Sequence, residues 1–523
     1  MRARHLSALT LALAFATAPL CAQAPAPSGD VQRMLELIDP ELLKGHLYYI
    51  ASDTLGGRDT PSKGLDLAAQ YLAAHLKRLG FVPAPGQSSY FQPLEMVGWE
   101  DDPAAVLAIE CGDRKAELAF DQEWSGRLSA LEGELVFAGF GLQANDGSWD
   151  DFAGVEVKDK IAVVLRDRPA GVSDTLFRRE HEKGGRMITV RAKNTDRALE
   201  LGAKAVLELT TLKARAQGRR GGVPYQFAFK GGTSAPSPIV EIREDGLAAI
   251  QKVLGIDLEA FKQSKTPASR ALGARVALRT QAAARTTTTQ NVIGVLPGKD
   301  PKLAKEYVVF SAHYDHVGQR EGASGDAIFN GADDDGTGTV SLLVLAEAFA
   351  RLDQRRRSIA LIWHCGEEKG LVGAEYLTTK APWIPLDDIA CLFNIDMIGR
   401  NDADETANAN HCYLVGARKI SSALDDVIRQ FNGDALGEKL RLDGEDPKQY
   451  YFRSDHYMYA QKGVPIVFFC TGEHGDYHRQ SDHPDRILYG KMQSILRLVA
   501  RAGYEFLNRD ERPAKDLWKP EQR

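Results

Sequence analysis

At 523 residues the chain exceeds one average domain, so two domains, or one with a large insertion, are expected. Its 44% hydrophobic and 26% charged composition is that of a soluble globular protein. A formal charge of −6 and the lack of a long Lys/Arg stripe speak against nucleic acid as a partner.

Residues 1–24 read as a signal peptide: Arg2 and Arg4 precede the apolar run Leu6–Leu20, and Ala22-Gln23-Ala24 supplies small residues for cleavage. The run is too short for a membrane span, so export to the periplasm or the extracellular space is expected, without stable membrane insertion. Cys111, Cys365, Cys391, Cys412 and Cys470 then remain, none in a C-x-x-C spacing. From Val31 to Leu79 the pattern is helical. Asp39-Pro40 opens one helix, with Leu42, Leu43, Leu47 and Ile50 at helical spacing, and Leu55-Gly56-Gly57-Arg58 is a turn. A second helix carries Leu65, Ala68, Ala69, Leu72, Ala73 and Leu76, with Gly80 as its cap. From Phe91 short strands separated by Gly, Asp and Pro take over, and residues 120–280 read as a β-rich insertion with a loop at Ala214–Gly222. Buried-strand character resumes at Gln290–Leu296.

The stretch Tyr307–Arg400 organises the rest. Three apolar, unalternating runs each stop at acids or histidine: His313 and Asp315, Glu367 and Glu368, Asp396. Such runs read as parallel strands buried on both faces, and ligands collect beyond the carboxyl ends of parallel strands. Acids that merely cap following helices would explain one such placement but not all of them. His313 and Asp315 are two apart, so on extended backbone they point the same way, and Asp315 suits the role of fixing the histidine's tautomer. Asp333, Asp334 and Asp335 are consecutive and would repel one another unless a cation offsets them. The adjacent Glu367 and Glu368 can divide labour, one ligating and the other carrying a proton. A metal site is the leading reading, with a solvated acidic loop or a calcium site as the alternative for the three aspartates. Beyond Arg400 come a strand at Cys412–Val415, a helix near Ser421–Phe431, Ser454-Asp455-His456, a buried run at Val464–Cys470, the polar loop Thr471–Pro484 and a closing helix at Asp485–Leu507. His364 reads as a core residue, and His316 as one that packs or bonds locally.

HYDHVG, NGADDDGTGT, CGEEKGLVGAEYL, NIDMIG and DYHRQSD, in that order, resemble the co-catalytic zinc exopeptidases of the bacterial secreted aminopeptidase and glutamate carboxypeptidase family. The resemblance implies an α/β fold with a mixed, centrally parallel sheet flanked by helices. Residues 31–119 and 281–510 would form the catalytic domain, residues 120–280 an inserted β-rich protease-associated domain, and 511–523 a tail. It implies two zinc ions per chain: His313 and Asp396 on one, Glu368 and His478 on the other, Asp334 bridging. Asp335 stands where many members have Asn, and the peptide bond after the bridging residue is expected to be strained, with cis geometry in view. Glu367 would be the general base, Asp315 a support for His313, and Tyr477 a donor to the tetrahedral intermediate. His474 and His483 flank His478 in the same loop, and the Y-H-x-x-x-D pattern selects His478. Ser454-Asp455-His456 would shape the pocket. The implied function is an aminopeptidase acting on peptide or protein N-termini. A zinc carboxypeptidase or dipeptidase, a glutaminyl cyclase-like enzyme and a non-catalytic receptor-type ectodomain share the scaffold, and Arg400 would be either a carboxylate anchor or an ion-pair partner.

Overall fold

The computed structural model describes residues 29–519, apart from 101, 127, 129, 184–185, 212–224, 230–237, 281–283, 321–324, 405–409, 434–438 and 447. The signal peptide and the Ala214–Gly222 loop read from the sequence lie outside the described residues. Among those described, no helix is long and apolar enough to cross a membrane.

Two large sheets, with a separate two-stranded ribbon of Arg178–Lys183 and Arg186–Arg191, divide the described residues. The larger has nine strands, in the spatial order Tyr225–Phe229, Phe91–Glu100, Ala284–Leu296, Ser358–His364, Tyr307–His313, Ile389–Ile395, Ile466–Cys470, His411–Val415 and Arg441–Asp443. Its four central strands, from Ser358–His364 to Ile466–Cys470, are mutually parallel. Antiparallel pairing flanks them through Ala284–Leu296 on one side and His411–Val415 on the other. The apolar runs are the expected parallel strands, and the mixed, centrally parallel sheet is the one the resemblance implies. Every residue of Tyr307–His313, Ser358–His364 and Ile389–Ile395 is buried, because helices or loops cover both faces. Alternate side chains serve opposite layers: Val308, Phe310 and Ala312 join one core, Tyr307 and Val309 the other.

The helices form where their signals stand. Asp39 caps Pro40–Ile50 by accepting from the Glu41 amide at 2.9 Å, and Ser62 caps Lys63–Arg78 by accepting from Leu65 at 3.1 Å. Gly80, at φ +81°, turns the chain out of that second helix, and Phe81 donates back to the Leu76 carbonyl at 3.0 Å. Gly338–Ala350 lies between the sheet and Pro40–Ile50, so it carries almost no polar stripe.

The smaller sheet has eight strands, from Val106–Cys111 to Arg270–Arg279, around its own core that includes Trp124, Phe137, Phe140 and Trp149. Val106–Cys111 and Arg114–Ala119 already belong to it, so the insertion starts earlier than the expected residue 120. The strand periodicity does not change where the chain passes from one sheet to the other, which is why the boundary is not visible in sequence. The insertion hangs on a ribbon, since the strands before and after it pair antiparallel from Phe91↔Val292 to Trp99↔Ala284. It also returns one strand, Tyr225–Phe229, to the edge of the larger sheet.

Candidate metal centre

Because the central strands are parallel, their carboxyl ends share one edge. Tyr307–His313 ends on His313, Ser358–His364 leads to Glu367 and Glu368, Ile389–Ile395 to Asp396, and Ile466–Cys470 to the loop bearing Tyr477 and His478. Asp334 arrives from Ala332–Thr337, a π-helical turn broken at Asp334 and Asp335, whose shared peptide bond is cis.

These side chains gather in two groups that share Asp334: His313, Asp334 and Asp396, and His316, Asp334, Glu368 and His478. The two carboxylate oxygens of Asp334 part company. Oδ1 lies 3.3 Å from His313 Nε2, and Oδ2 lies 2.9 Å from His478 Nε2. His478 Nε2 is also 3.0 Å from Glu368 Oε1, and His313 Nε2 is 3.7 Å from Asp396 Oδ2. Within each group the donor atoms lie within 4.8 Å of one another. His478 Nε2, Glu368 Oε1 and Asp396 Oδ1 are buried without a hydrogen-bond partner. Imidazole and carboxylate donors that converge without bonding one another fit divalent cations of the zinc type.

The surroundings hold the donors in place. His313 Nδ1 faces the backbone carbonyl of Asp315 at 3.2 Å and its carboxylate at 3.5 Å, which leaves Nε2 as the ligating atom. Ser454 donates to Asp396 Oδ2 at 2.8 Å. The three aspartates separate by task. Asp333 accepts from the Gly399 amide and faces His474, while Asp335 accepts from the amides of His313, Gly338 and Met397. Two acceptor oxygens serve these amides at Asp335, where an asparagine would offer one. Burial, with the charge of Asp396, keeps the Asp335 carboxyl well above its usual range.

Glu367 belongs to neither donor group. Its amide donates to Asp315 Oδ1 at 3.2 Å, and burial, with the charges of Glu368 and Asp396, pushes its carboxyl well above the usual range. Against burial, His316 and His478 hold Glu368 down at about 2. Adjacent glutamates thus have opposite characters, one suited to carry a proton and the other to stay ionised. Tyr477 stacks on His478 with ring centroids 3.9 Å apart, and burial near Asp334 and Glu368 raises its phenol, so it remains a donor. Arg400 pairs with Asp476 at 2.8 Å, and Asp476 also accepts from Ser481 and Arg486. Its place is that of an ion-pair partner pinning the His478 loop. His364 is buried in its strand with Nε2 at 3.2 Å from the Tyr459 hydroxyl.

Sequence reasoning missed three residues. His316 sits among the donors. Asp482 accepts from the amides of Asp333 and Asp334 at 2.9 and 3.3 Å. Arg58, read as part of a turn, is fully buried and donates to the carbonyls of Tyr314, Ile50, Asn330 and Gly331 at 2.6 to 2.9 Å. Its signal was the Gly-Gly-Arg sequence. Gly57, at φ +71°, has no room for a Cβ, which would fall 2.2 Å from the Gly318 carbonyl oxygen. Arg58→Met is expected to strand these carbonyls and cost about 3 kcal/mol or more, measured as a lower melting temperature.

Residues 291–503 match the family described as Peptidase family M28. The M28 family is one of co-catalytic di-zinc exopeptidases. Aminopeptidase YwaD of Bacillus subtilis (strain 168) is 26% identical over 234 residues, 43% of this chain and 46% of that protein. Leucine aminopeptidase 1 of Trichophyton equinum is 30% identical over 180 residues, 34% of this chain and 45% of that protein. The chain thus spans less than half the length of these two curated relatives. Among solved structures, the aminopeptidase from Aneurinibacillus sp. strain AM-1 aligns over 93% of this chain and all of its own, with a TM-score of 0.57 at 20% identity. The zinc aminopeptidase BSAP from Bacillus subtilis aligns over 92% of this chain and 98% of its own, with a TM-score of 0.51 at 18% identity. At these identities the likeness is one of fold. The matched residues include the central strands, the Asp334 turn, Glu367, Glu368, Asp396 and the His478 loop. Arg58 lies ahead of them, and the smaller sheet is inserted ahead of them.

Proposed function

We propose that this chain is an exported di-zinc aminopeptidase that releases residues from the N-termini of peptides. The observation that carries the reading is the division of the Asp334 carboxylate between two donor groups, with Glu367 beside them and outside both. His313 and Asp396 would hold one ion, Glu368 and His478 the other, and Asp334 both. When bound, the ions would supply Lewis-acid activation of a water and of the scissile carbonyl. Glu367 takes the proton of the attacking water and returns it to the leaving amine. Asp315 holds His313 in the tautomer that leaves Nε2 free, and Tyr477 donates to the oxyanion as it develops. Arg400 pairs with Asp476 and helps hold the loop that carries His478. The inserted sheet is read as a protease-associated domain.

The purified chain is expected to release N-terminal residues from peptides with a free amine and to leave N-acetylated peptides intact. Chelation should abolish turnover and Zn²⁺ should restore it. Cleavage only from the carboxyl end would replace this reading with a carboxypeptidase, and cyclisation of an N-terminal glutaminyl peptide would replace it with a cyclase. Absence of metal-dependent chemistry on all three substrates would remove the enzymatic reading.

A further inference from the structure

His316 directly follows Asp315, on the loop that leaves the Tyr307–His313 strand, and it is completely buried. Its backbone amide donates to the Arg58 carbonyl at 3.1 Å. Its ring packs against Gly331, which is at φ +58°; a Cβ there would come within 2.5 Å of the ring carbons. The imidazole is therefore fixed in position by packing on both its backbone and its ring. Its Nδ1 points into the group that already contains Glu368 and His478. It lies 3.0 Å from Glu368 Oε1 and 3.7 Å from Asp334 Oδ2.

These contacts do not have the geometry of hydrogen bonds. His316 Nδ1, His478 Nε2 and Glu368 Oε1 are each buried and each without a hydrogen-bond partner, although the two nitrogens both lie 3.0 Å from the same carboxylate oxygen. An orienting histidine would aim its N–H along the line to that oxygen. Donors that are close but aimed past one another share a target instead. Two imidazole nitrogens and two carboxylate oxygens around one point make the four-donor set that saturates a tetrahedral zinc-type cation.

We propose that His316 is a metal ligand, so that the two cation positions are unequal: four protein donors enclose one, and three hold the other. The proposal rests on the di-metal reading above. Four-donor sites are closed, and sites with three protein ligands keep a position for a reacting molecule. The cation among His316, Asp334, Glu368 and His478 is then chiefly a holding ion. The one on His313, Asp334 and Asp396 keeps room for water and substrate.

The test is the proton NMR spectrum of the full chain loaded with Co²⁺, which shifts the ring N–H of each coordinated histidine far outside the normal range. Three exchangeable shifted N–H signals are expected, from His313, His316 and His478. Two signals would overturn the assignment of His316 while leaving the di-metal centre intact. None would overturn the di-metal reading and this proposal with it. In a Zn²⁺ titration against a competing chelator, His316→Gln should weaken one of the two binding steps by about 100-fold or more. His313→Gln should weaken the other step. Two unchanged steps in a folded His316→Gln chain, checked by circular dichroism, would also refute the proposal. If that variant does not fold, the signal count on the wild-type chain still decides.

Discussion

Glu367→Gln is expected to retain the metal content of the wild-type chain and to lose about 10²- to 10⁴-fold in kcat. The side chain stands outside both donor groups, so the substitution removes no ligand. The amide has nearly the same shape and keeps the backbone bond to Asp315, which is made by the Glu367 N–H rather than its side chain. What it cannot do is accept a proton. Burial, with Glu368 and Asp396 close by, raises the Glu367 carboxyl well above its usual range, which suits a group that takes up and returns a proton. Metal analysis and steady-state kinetics on the same preparation check the result, with KM expected to change little. A fully metallated variant with wild-type kcat would remove Glu367 from the mechanism.

Asp334→Ala is expected to lose cations from both positions and to show no measurable turnover. Each oxygen of Asp334 serves a different group, so one substitution takes a charged donor from both. The remaining donors, His313 and Asp396 on one side and Glu368 and His478 with His316 on the other, would have to hold their ions without a shared anion between them. The readouts are metal content after dialysis and the rise in melting temperature on adding Zn²⁺. That rise measures binding to the folded state and should collapse in the variant. A variant that keeps two ions per chain and the wild-type response would refute the bridging role.

Much of this protein was legible before folding, because its signals are local. The apolar runs ending at His313, Glu367 and Asp396 marked parallel strands and the edge at which they discharge their ligands. Asp39, Ser62 and Gly80 stand where caps stand because capping involves only near neighbours in the chain. The expected donors could be named because each follows a strand or opens a helix in a recognisable motif.

Other features depend on contacts between distant segments. Arg58 in sequence is the end of a glycine turn. Only the return of the Tyr314 and Asn330–Gly331 segments around it makes it a buried clamp. Val106–Cys111 looks no different from Phe91–Glu100, yet pairing assigns them to different sheets. A strand's pattern reports which faces are buried, not which partner buries them. His316 shows the same limit at the site itself. Its spacing from His313 describes a local loop, and its direction toward Glu368 and His478 comes from the ring's packing on Gly331. The sequence by itself determined the donor types, the strands that deliver them and the edge where they meet. The tertiary structure alone decided that His316, Asp482 and Arg58 close around them, because only packing sets side-chain direction between segments far apart in the chain.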